Sequence, residues 1–479
     1  MRTNNNSHRP NIIVITTDQQ RYDTLGVTGN AIVRTPHLDH LAQTGVLFSM
    51  AYCQNTTCVP SRACLHTGRY SHQHGVQYME NEIDTTPPLP PWEKTFMERL
   101  QDAGYYTGAV GKIHMIRPKG YHETALTGGK GSRWTQATGQ NIGPAPLGQK
   151  YAAWLEKRHP GGYEEIYKQR RKPKYHQDRT AIVNVLPEEE YVEYWIAEEA
   201  KSFLKKRKES SQPFLLWVGF CGPHGPFDPP RQYAEMYSPE NMPLPKTFSP
   251  ERCQNPEQEI KTLKKLIASY YALMTCIDDR VGSIIDDLKQ NGQSENTIII
   301  FTSDHGEMLG DKNRFGKGCF YEPVIRIPTI ISHPAIEKPF CFDGLVETFS
   351  IAPTILDFAG VERPVEMAAE SLVPILFEQG KGKESILCEY VTNDRQQSAM
   401  CVRTEHYKLS RSWNKSSGEH TCELYDLNAD PLEEKNIYDA PAYTNQRESL
   451  NNILLNRIAE TITPAYSSWV DKLPDVIKT

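Results

Sequence analysis

Cys58 opens the run Cys58-Val59-Pro60-Ser61-Arg62, where the chain's side chains are best placed to do chemistry. The run continues through Ala63-Cys64-Leu65-His66 to Thr67-Gly68-Arg69. A proline and a small polar residue just behind a reactive thiol suit the first turn of a helix, whose leading N–H groups have no intrahelical partner. That end of a helix favours negative charge, so a nucleophile or an anionic substrate at Cys58 is stabilised there. Arg62 adds a planar, permanently charged donor close by. In isolation a buried structural cysteine at a helix start reads the same way. The rest of the chain has to decide.

A second group of residues can hold a cation. Asp18 and Gln19 follow the β-branched run from Asn11 to Thr16, and Asp304 and His305 follow Ile298-Ile299-Ile300-Phe301. C-terminal ends of neighbouring parallel strands meet at one sheet edge, so residues nearly three hundred apart can converge. Two carboxylates, an amide oxygen and an imidazole suit a divalent cation, and mostly oxygen donors favour calcium, magnesium or manganese. The bland reading is a chain turn at Asp18-Gln19 and a hydrogen-bonded loop histidine at His305. Both pairs at strand ends beside the cysteine run favour the metal.

Cys-x-Pro-Ser-Arg followed by Thr-Gly-Arg resembles the first signature of the type I sulfatases, in the alkaline phosphatase superfamily. Gly104-Tyr105-Tyr106-Thr107-Gly108-Ala109-Val110-Gly111-Lys112-Ile113-His114 resembles the second, with Ile113 a mild departure. The likeness continues in Asn11 to Val14 with Asp18-Gln19, in Pro223-His224-Gly225-Pro226, and in Ser303-Asp304-His305-Gly306-Glu307. Near the end of the chain, Glu423 to Leu427 with Asp430-Pro431 resembles the family's closing sheet.

The resemblance implies oxidation of Cys58 to formylglycine, whose hydrate is the nucleophile toward a small-molecule or saccharide sulfate ester. It implies a formylglycine-generating maturation enzyme as a partner and one divalent cation, calcium by expectation, held by Asp18, Gln19, Asp304 and His305. Arg62 and Lys112 would hold the hydrate and the oxyanion, and His114 would handle the proton released with sulfate. His224 would bind the ester and protonate the leaving oxygen, with Lys317, thirteen residues beyond Asp304, as a second substrate lysine. Asn81 is a further substrate-binding candidate. Relatives more often carry two consecutive acids where this chain has Asp18-Gln19, so one negative charge is missing. A phosphonate monoester hydrolase or phosphodiesterase of the same superfamily is the rival, because sulfate and phosphonate monoanions are alike in size and charge. A catalytically silent relative would need a lost site residue, and every matched position carries a competent side chain.

These residues need a scaffold, and the hydrophobic pattern supplies one. Phe214 to Phe220 and Thr297 to Thr302 read as buried strands, and Tyr106 to Gly111 as another. Helices are expected from Thr95 to Ala103, Glu188 to about Lys206, and Ile260 to Leu288. Strand–helix alternation on this scale predicts an α/β sandwich around a mostly parallel mixed sheet over residues 1–383. From 384 to 479 short alternating strands and a final helix, Asn445 to Ile462, predict a small α+β subdomain. A Gly-, Tyr- and Lys/Arg-rich stretch of about 130–180 is expected as an insertion over the active-site rim. Within it Lys168, Arg170, Arg171, Lys172 and Lys174, beside Tyr163, Tyr167 and Tyr175, read as a solvated loop rather than an anion clamp. Trp134, Trp154 and Trp195 read as core packing rather than a substrate wall.

At 479 residues the chain can bury one large and one smaller core. A net charge of −6 gives no general drive toward nucleic acid or membranes. Eleven cysteines without paired spacing fit reduced thiols. Met1 to Pro10 is polar and Ile12 to Ile15 is far shorter than a signal-peptide core, so a cytoplasmic protein is expected. A homo-oligomer is left open.

Overall fold

A computed structural model describes residues 9–79, 89–115, 119–127, 129–130, 150–378 and 380–462. Its frame is an eight-stranded sheet in the order Glu123–Leu126, Tyr106–Gly111, Phe214–Pro223, Asn11–Asp18, Thr297–Ser303, Thr329–Ser332, Val46–Phe48, Phe340–Phe342. Thr329–Ser332 runs against both of its neighbours, and the other pairings are parallel.

The central strands are buried on both faces, which is why they read as continuous β-branched runs rather than alternating ones. Successive side chains still point opposite ways. Ile13 and Ile15 join Leu216, Val218, Ile299 and Phe301 on one face, and Ile12 and Val14 join Leu215, Trp217, Ile298 and Ile300 on the other. The first face is covered by the helices Val192–Arg207 and Pro256–Gln290. The second packs against Phe96, Met97 and Leu100 of Phe96–Asp102 and against Ile351, Ile355 and Leu356 of Ile351–Phe358. Pro256–Gln290 is a little longer than expected because Asn255 caps it, accepting from Gln258 N at 3.3 Å, with Pro256 in the first turn.

Register aligns the strand ends. Thr17 lies opposite Ser303, and Asp18 opposite Pro223. Asp18, His224 and Asp304 therefore emerge at the same sheet edge, and Lys112 joins them just past Tyr106–Gly111.

Beyond this sheet, Ser385–Val391, Gln397–Thr404, Tyr407–Asn414 and His420–Asp426 form an antiparallel meander. The helix Thr444–Thr461 buries Leu450 and Leu454 in the core that the meander shares. The third strand continues past Ser410 because Arg411 to Trp413 pair with His420 to Cys422.

The described part of the 130–180 stretch is more ordered than its composition suggests, with helices Lys150–Arg158, Gly162–Arg170 and Pro173–Gln177. Lys168, Arg171, Lys172 and Lys174 are exposed, as a solvated loop predicts. Arg170 departs from that reading: it is buried and its Nη2 lies 2.9 Å from Asp228 Oδ2. Tyr167 and Tyr175 are buried too, Trp195 is in the core, and Trp154 packs half-buried against it. Trp134 and Asn81 lie outside the described residues. Among the described residues, no helix is long and apolar enough to cross a membrane.

Candidate active site

The helix that begins at Cys58 runs Cys58–Thr67, and all ten of its residues are buried. Asn55 prepares its start, its side-chain oxygen accepting from Thr57 N at 2.9 Å and from Thr57 Oγ1 at 2.8 Å. Pro60 sits where an N–H would have no helical partner. Gly68 closes the helix in the left-handed region, φ 66°, with its N–H on Cys64 O at 2.8 Å. The Cys58 thiol is thereby aimed at the strand ends.

Around it, the ligand atoms of Asp18, Cys58, Asp304 and His305 all lie within 4.8 Å of one another. Cys58 Sγ is 3.8 Å from Asp18 Oδ1 and 3.2 Å from His305 Nε2. Arg62 bridges the two carboxylates, with Nη2 3.1 Å from Asp18 Oδ2 and Nε 3.0 Å from Asp304 Oδ2. Lys112 Nζ reaches Asp18 Oδ2 at 2.6 Å. Lys317 Nζ touches Cys58 Sγ at 2.6 Å, His305 Nε2 at 2.9 Å and Gln19 Oε1 at 3.0 Å.

Protonation follows from these contacts. Burial works to raise Asp18, but Lys112, Arg62 and Lys317 outweigh it and hold the carboxyl well below the usual aspartate range. Burial likewise raises Asp304, yet Arg62 keeps it below its ordinary value. Both are carboxylates. Burial, then Asp18, push the Cys58 thiol above its ordinary value despite the neighbouring lysine. A protonated thiol is a weak nucleophile.

The histidines are neutral and oriented. Burial brings His305 down to about 4, and its Nδ1 lies 2.9 Å from Gly306 O. A carbonyl only accepts, so Nδ1 carries the proton and Nε2 presents its lone pair to the cluster. That is the form a metal ligand needs. Two carboxylates and this lone pair, with Gln19 Oε1 at the rim, fit a divalent cation. His224 is fixed similarly: its N–H donates to Asp18 O at 3.0 Å and its Nδ1 to Gly225 O at 2.6 Å. Burial pulls His224 down to about 3, with Asp18 opposing and Lys317 and Lys112 assisting. Burial, then Lys112, hold His114 well below the usual histidine range, and its buried Nδ1 has no hydrogen-bond partner among the described residues.

The structure thus brings Asp18, Gln19, Cys58, Arg62, Lys112, Asp304, His305 and Lys317 into direct contact with one another, and the Asp18 main chain ties in His224. Motif reading gave no role to several supporting groups. Glu307 accepts from the Gln19 amide, Tyr270 OH donates to Gln19 O at 2.6 Å, Ser61 Oγ donates to Asp304 O at 2.6 Å, and Trp217 Nε1 donates to Lys112 O at 3.1 Å. Ser61 and Glu307 lie inside the recognised motifs, which was their signal. Tyr270 and Trp217 read only as core aromatics, because a ring's burial conceals what its polar atom reaches.

A buried cluster that fits a cation, beside a helix-start cysteine at the C-terminal edge of this sheet, matches a hydrolase of the alkaline phosphatase superfamily. Comparison with known proteins makes this specific. The sulfatase family model matches residues 10–361, and that of the N-sulphoglucosamine sulphohydrolase C-terminal region matches residues 310–460. An arylsulfatase of Clostridium perfringens is 30% identical over 494 residues, covering 94% of each chain. The chain belongs to the sulfatase family, and its enzyme class is sulfuric ester hydrolase. Among solved structures, a protein in complex with its substrate D-glucosamine-2-N,6-O-disulfate aligns with a TM-score of 0.75 at 22% identity, covering 95% of this chain and 98% of that one. The phosphonate monoester hydrolase of Agrobacterium radiobacter aligns at 0.77 and 23%, covering 96% and 97%. At those identities the likeness is one of fold alone. Family membership implies a divalent metal and a formylglycine.

Proposed function

We propose that the protein hydrolyses a sulfate ester in the Cys58 pocket, with residue 58 acting as formylglycine. The observation that carries this reading is Cys58 Sγ within 3.8 Å of Asp18 Oδ1 and 3.2 Å of His305 Nε2, with Lys317 Nζ beside it. Asp18, Gln19, Asp304 and His305 would hold the cation. We assign calcium on the hard oxygen donors; His305 is the donor that argues for manganese instead. When bound, the ion supplies positive charge against the attacking oxygen and the sulfate oxygens.

The chain's own groups do the rest. A hydroxyl of the hydrated aldehyde at residue 58, its proton given up to solvent, attacks sulfur, while Arg62 holds the carboxylates and the helix start in place. Lys112 and Lys317 neutralise the non-bridging oxygens. The sulfur–oxygen bond to the alcohol breaks, and His224 gives that oxygen a proton. His224 is neutral in the free site, and the negative charge of the arriving sulfate favours its protonated form. His114, neutral with an unpartnered Nδ1, then takes the proton of the remaining hydroxyl. The carbon–oxygen bond to sulfate breaks and the aldehyde returns.

Mass spectrometry of the peptide holding residue 58, with turnover of Cys58→Ala on an aryl sulfate, tests the reading. The expected results are an aldehyde in active protein and no turnover in the variant. The Asp18-Gln19 pair keeps the phosphonate reading in play, so an aryl phosphonate monoester belongs in the same assay. A preference for it by orders of magnitude in kcat/KM overturns the sulfatase assignment.

A further inference from the structure

His224 stands on a loop held from behind by buried acidic and basic groups; burial pushes Glu193 up to about 7, with Lys130 and two main-chain N–H groups opposing. Glu193, on the helix Val192–Arg207, is fully buried and accepts two consecutive main-chain N–H groups, from Gly222 at 2.7 Å and Cys221 at 3.2 Å. These are the residues that lead through Pro223 into His224. On the far side Lys130, also buried, donates from Nζ to Pro226 O at 2.8 Å and lies 3.9 Å from Asp228 Oδ1. Asp228 is in turn held by Arg170 Nη2 at 2.9 Å, Asn184 Nδ2 at 2.9 Å and Tyr191 OH at 3.3 Å.

Burying an ammonium and carboxylates is costly, and neutral amides or hydroxyls would satisfy the same main-chain groups at lower desolvation cost. What charged partners add is stronger, shorter and more directional hydrogen bonds. Here they fall on both flanks of one histidine. Space is tight as well: a Cβ on Gly222 would meet Glu193 Oε1 at 3.1 Å and Ile277 Cδ1 at 3.0 Å. The glycine keeps the carboxylate against the main chain.

We propose that Glu193 and Lys130 are positioning residues for leaving-group protonation: together they clamp the main chain on either side of His224 and fix where its imidazole meets the departing oxygen. The inference rests on the assignment of His224 to that oxygen. A misplaced donor harms poor leaving groups, which need the proton, far more than good ones, which depart as anions. A general loss of folding lowers all substrates alike.

The test is kcat/KM of the mature holoenzyme across aryl sulfates of graded leaving-group acidity, extended to an alkyl sulfate. Glu193→Gln, Lys130→Met and His224→Ala are compared, with thermal unfolding as the control for folding. Loss of roughly 10- to 100-fold on the alkyl sulfate is expected for Glu193→Gln and Lys130→Met, with less than about threefold on 4-nitrophenyl sulfate. Both variants should steepen the leaving-group dependence in the same sense as His224→Ala, with Glu193→Ala worse than Glu193→Gln, which keeps one acceptor. A steep His224→Ala with flat or uniformly reduced Glu193→Gln and Lys130→Met overturns the clamp and spares the His224 assignment. A flat His224→Ala overturns both.

Discussion

Two of the protein's buried charge clusters are built differently. At the junction of the large sheet with the C-terminal meander, Glu322 and Glu433 face Lys408 and Arg403, with Lys408 Nζ 3.2 Å from Glu322 and in contact with Glu433. Tyr52 OH and the Glu322 N–H take up further carboxylate oxygens at 2.9 and 2.8 Å. Charges are balanced there. At the strand ends Arg62, Lys112 and Lys317 touch Asp18, Asp304 and the Cys58 thiol directly, while Glu307 reaches the cluster only through the Gln19 amide, so the groups lining Cys58 itself carry one positive charge in surplus. The same pocket also holds His114, whose buried Nδ1 has no hydrogen-bond partner among the described residues. Burial of charge alone therefore marks no site. Surplus charge beside an unpartnered ring nitrogen does, because it leaves work for an anion and a cation from outside.

The comparison is broken most directly at the strand ends. Cys58→Ala should lower kcat by roughly three orders of magnitude or more, the scale of removing a nucleophile, without unfolding the chain. Asp304→Asn should do the same and also abolish the rise in melting temperature that calcium, magnesium or manganese gives the parent enzyme. A parent enzyme whose melting is indifferent to all three ions contradicts a cation site. At the junction the effect should be on stability instead. Lys408→Met leaves two carboxylates facing each other in a buried place, and removing one partner of such a group costs about 3–5 kcal/mol. Chemical denaturation should show that loss, with kcat per folded molecule unchanged. A large fall in kcat with unchanged stability would place the junction among the catalytic parts.

How much of this was readable beforehand follows from the same physics. Strands buried on both faces announce themselves, so Asn11 to Val14 and Ile298 to Phe301 were legible, and with them the position of Asp18 and Asp304 at one edge. The start of the cysteine helix was legible from Pro60 and Ser61. Buried charges on helices were not. Arg170 sits in a run of exposed basic residues and differs from them only in facing Asp228, while Glu193 follows the run Glu188-Glu189-Glu190. A charge's burial depends on partners from distant segments, which local pattern does not encode. The direction of Thr329–Ser332 was hidden for the same reason, since a short apolar strand carries no sign of its partners' polarity.

A milder substitution probes the surplus itself. Lys317→Met removes the cation that touches Cys58, His305 and Gln19 and should equalise the site's charges. Competitive inhibition by inorganic sulfate should weaken about tenfold, the cost of one lost ion contact of modest strength, and kcat/KM for an aryl sulfate should fall at least as far. Unchanged inhibition by sulfate would mean that the surplus is not what receives the anion.

Asp278 gives the smallest effect and the cleanest contrast, being a buried carboxyl group that meets no cation among the described residues. Its oxygens accept instead from Leu38 N at 2.8 Å and His37 N at 3.1 Å, at the start of the helix Pro36–Thr44. Burial pushes it up to about 7, against the help of those two N–H groups. An unfolded aspartate titrates near 3.9, so the folded state holds this proton more tightly. The stability that the proton confers is fully present below about pH 4 and is lost as pH rises through 7. Asp278→Asn removes the titration, so its melting temperature should fall less between pH 5 and pH 8 than the parent's, by about 2 °C. Both are to be measured with chelator present so that cation binding does not contribute. Equal falls in the two proteins would mean that Asp278 is already ionised at pH 5, and that main-chain N–H groups alone can hold a buried charge here as firmly as the cations hold Asp18.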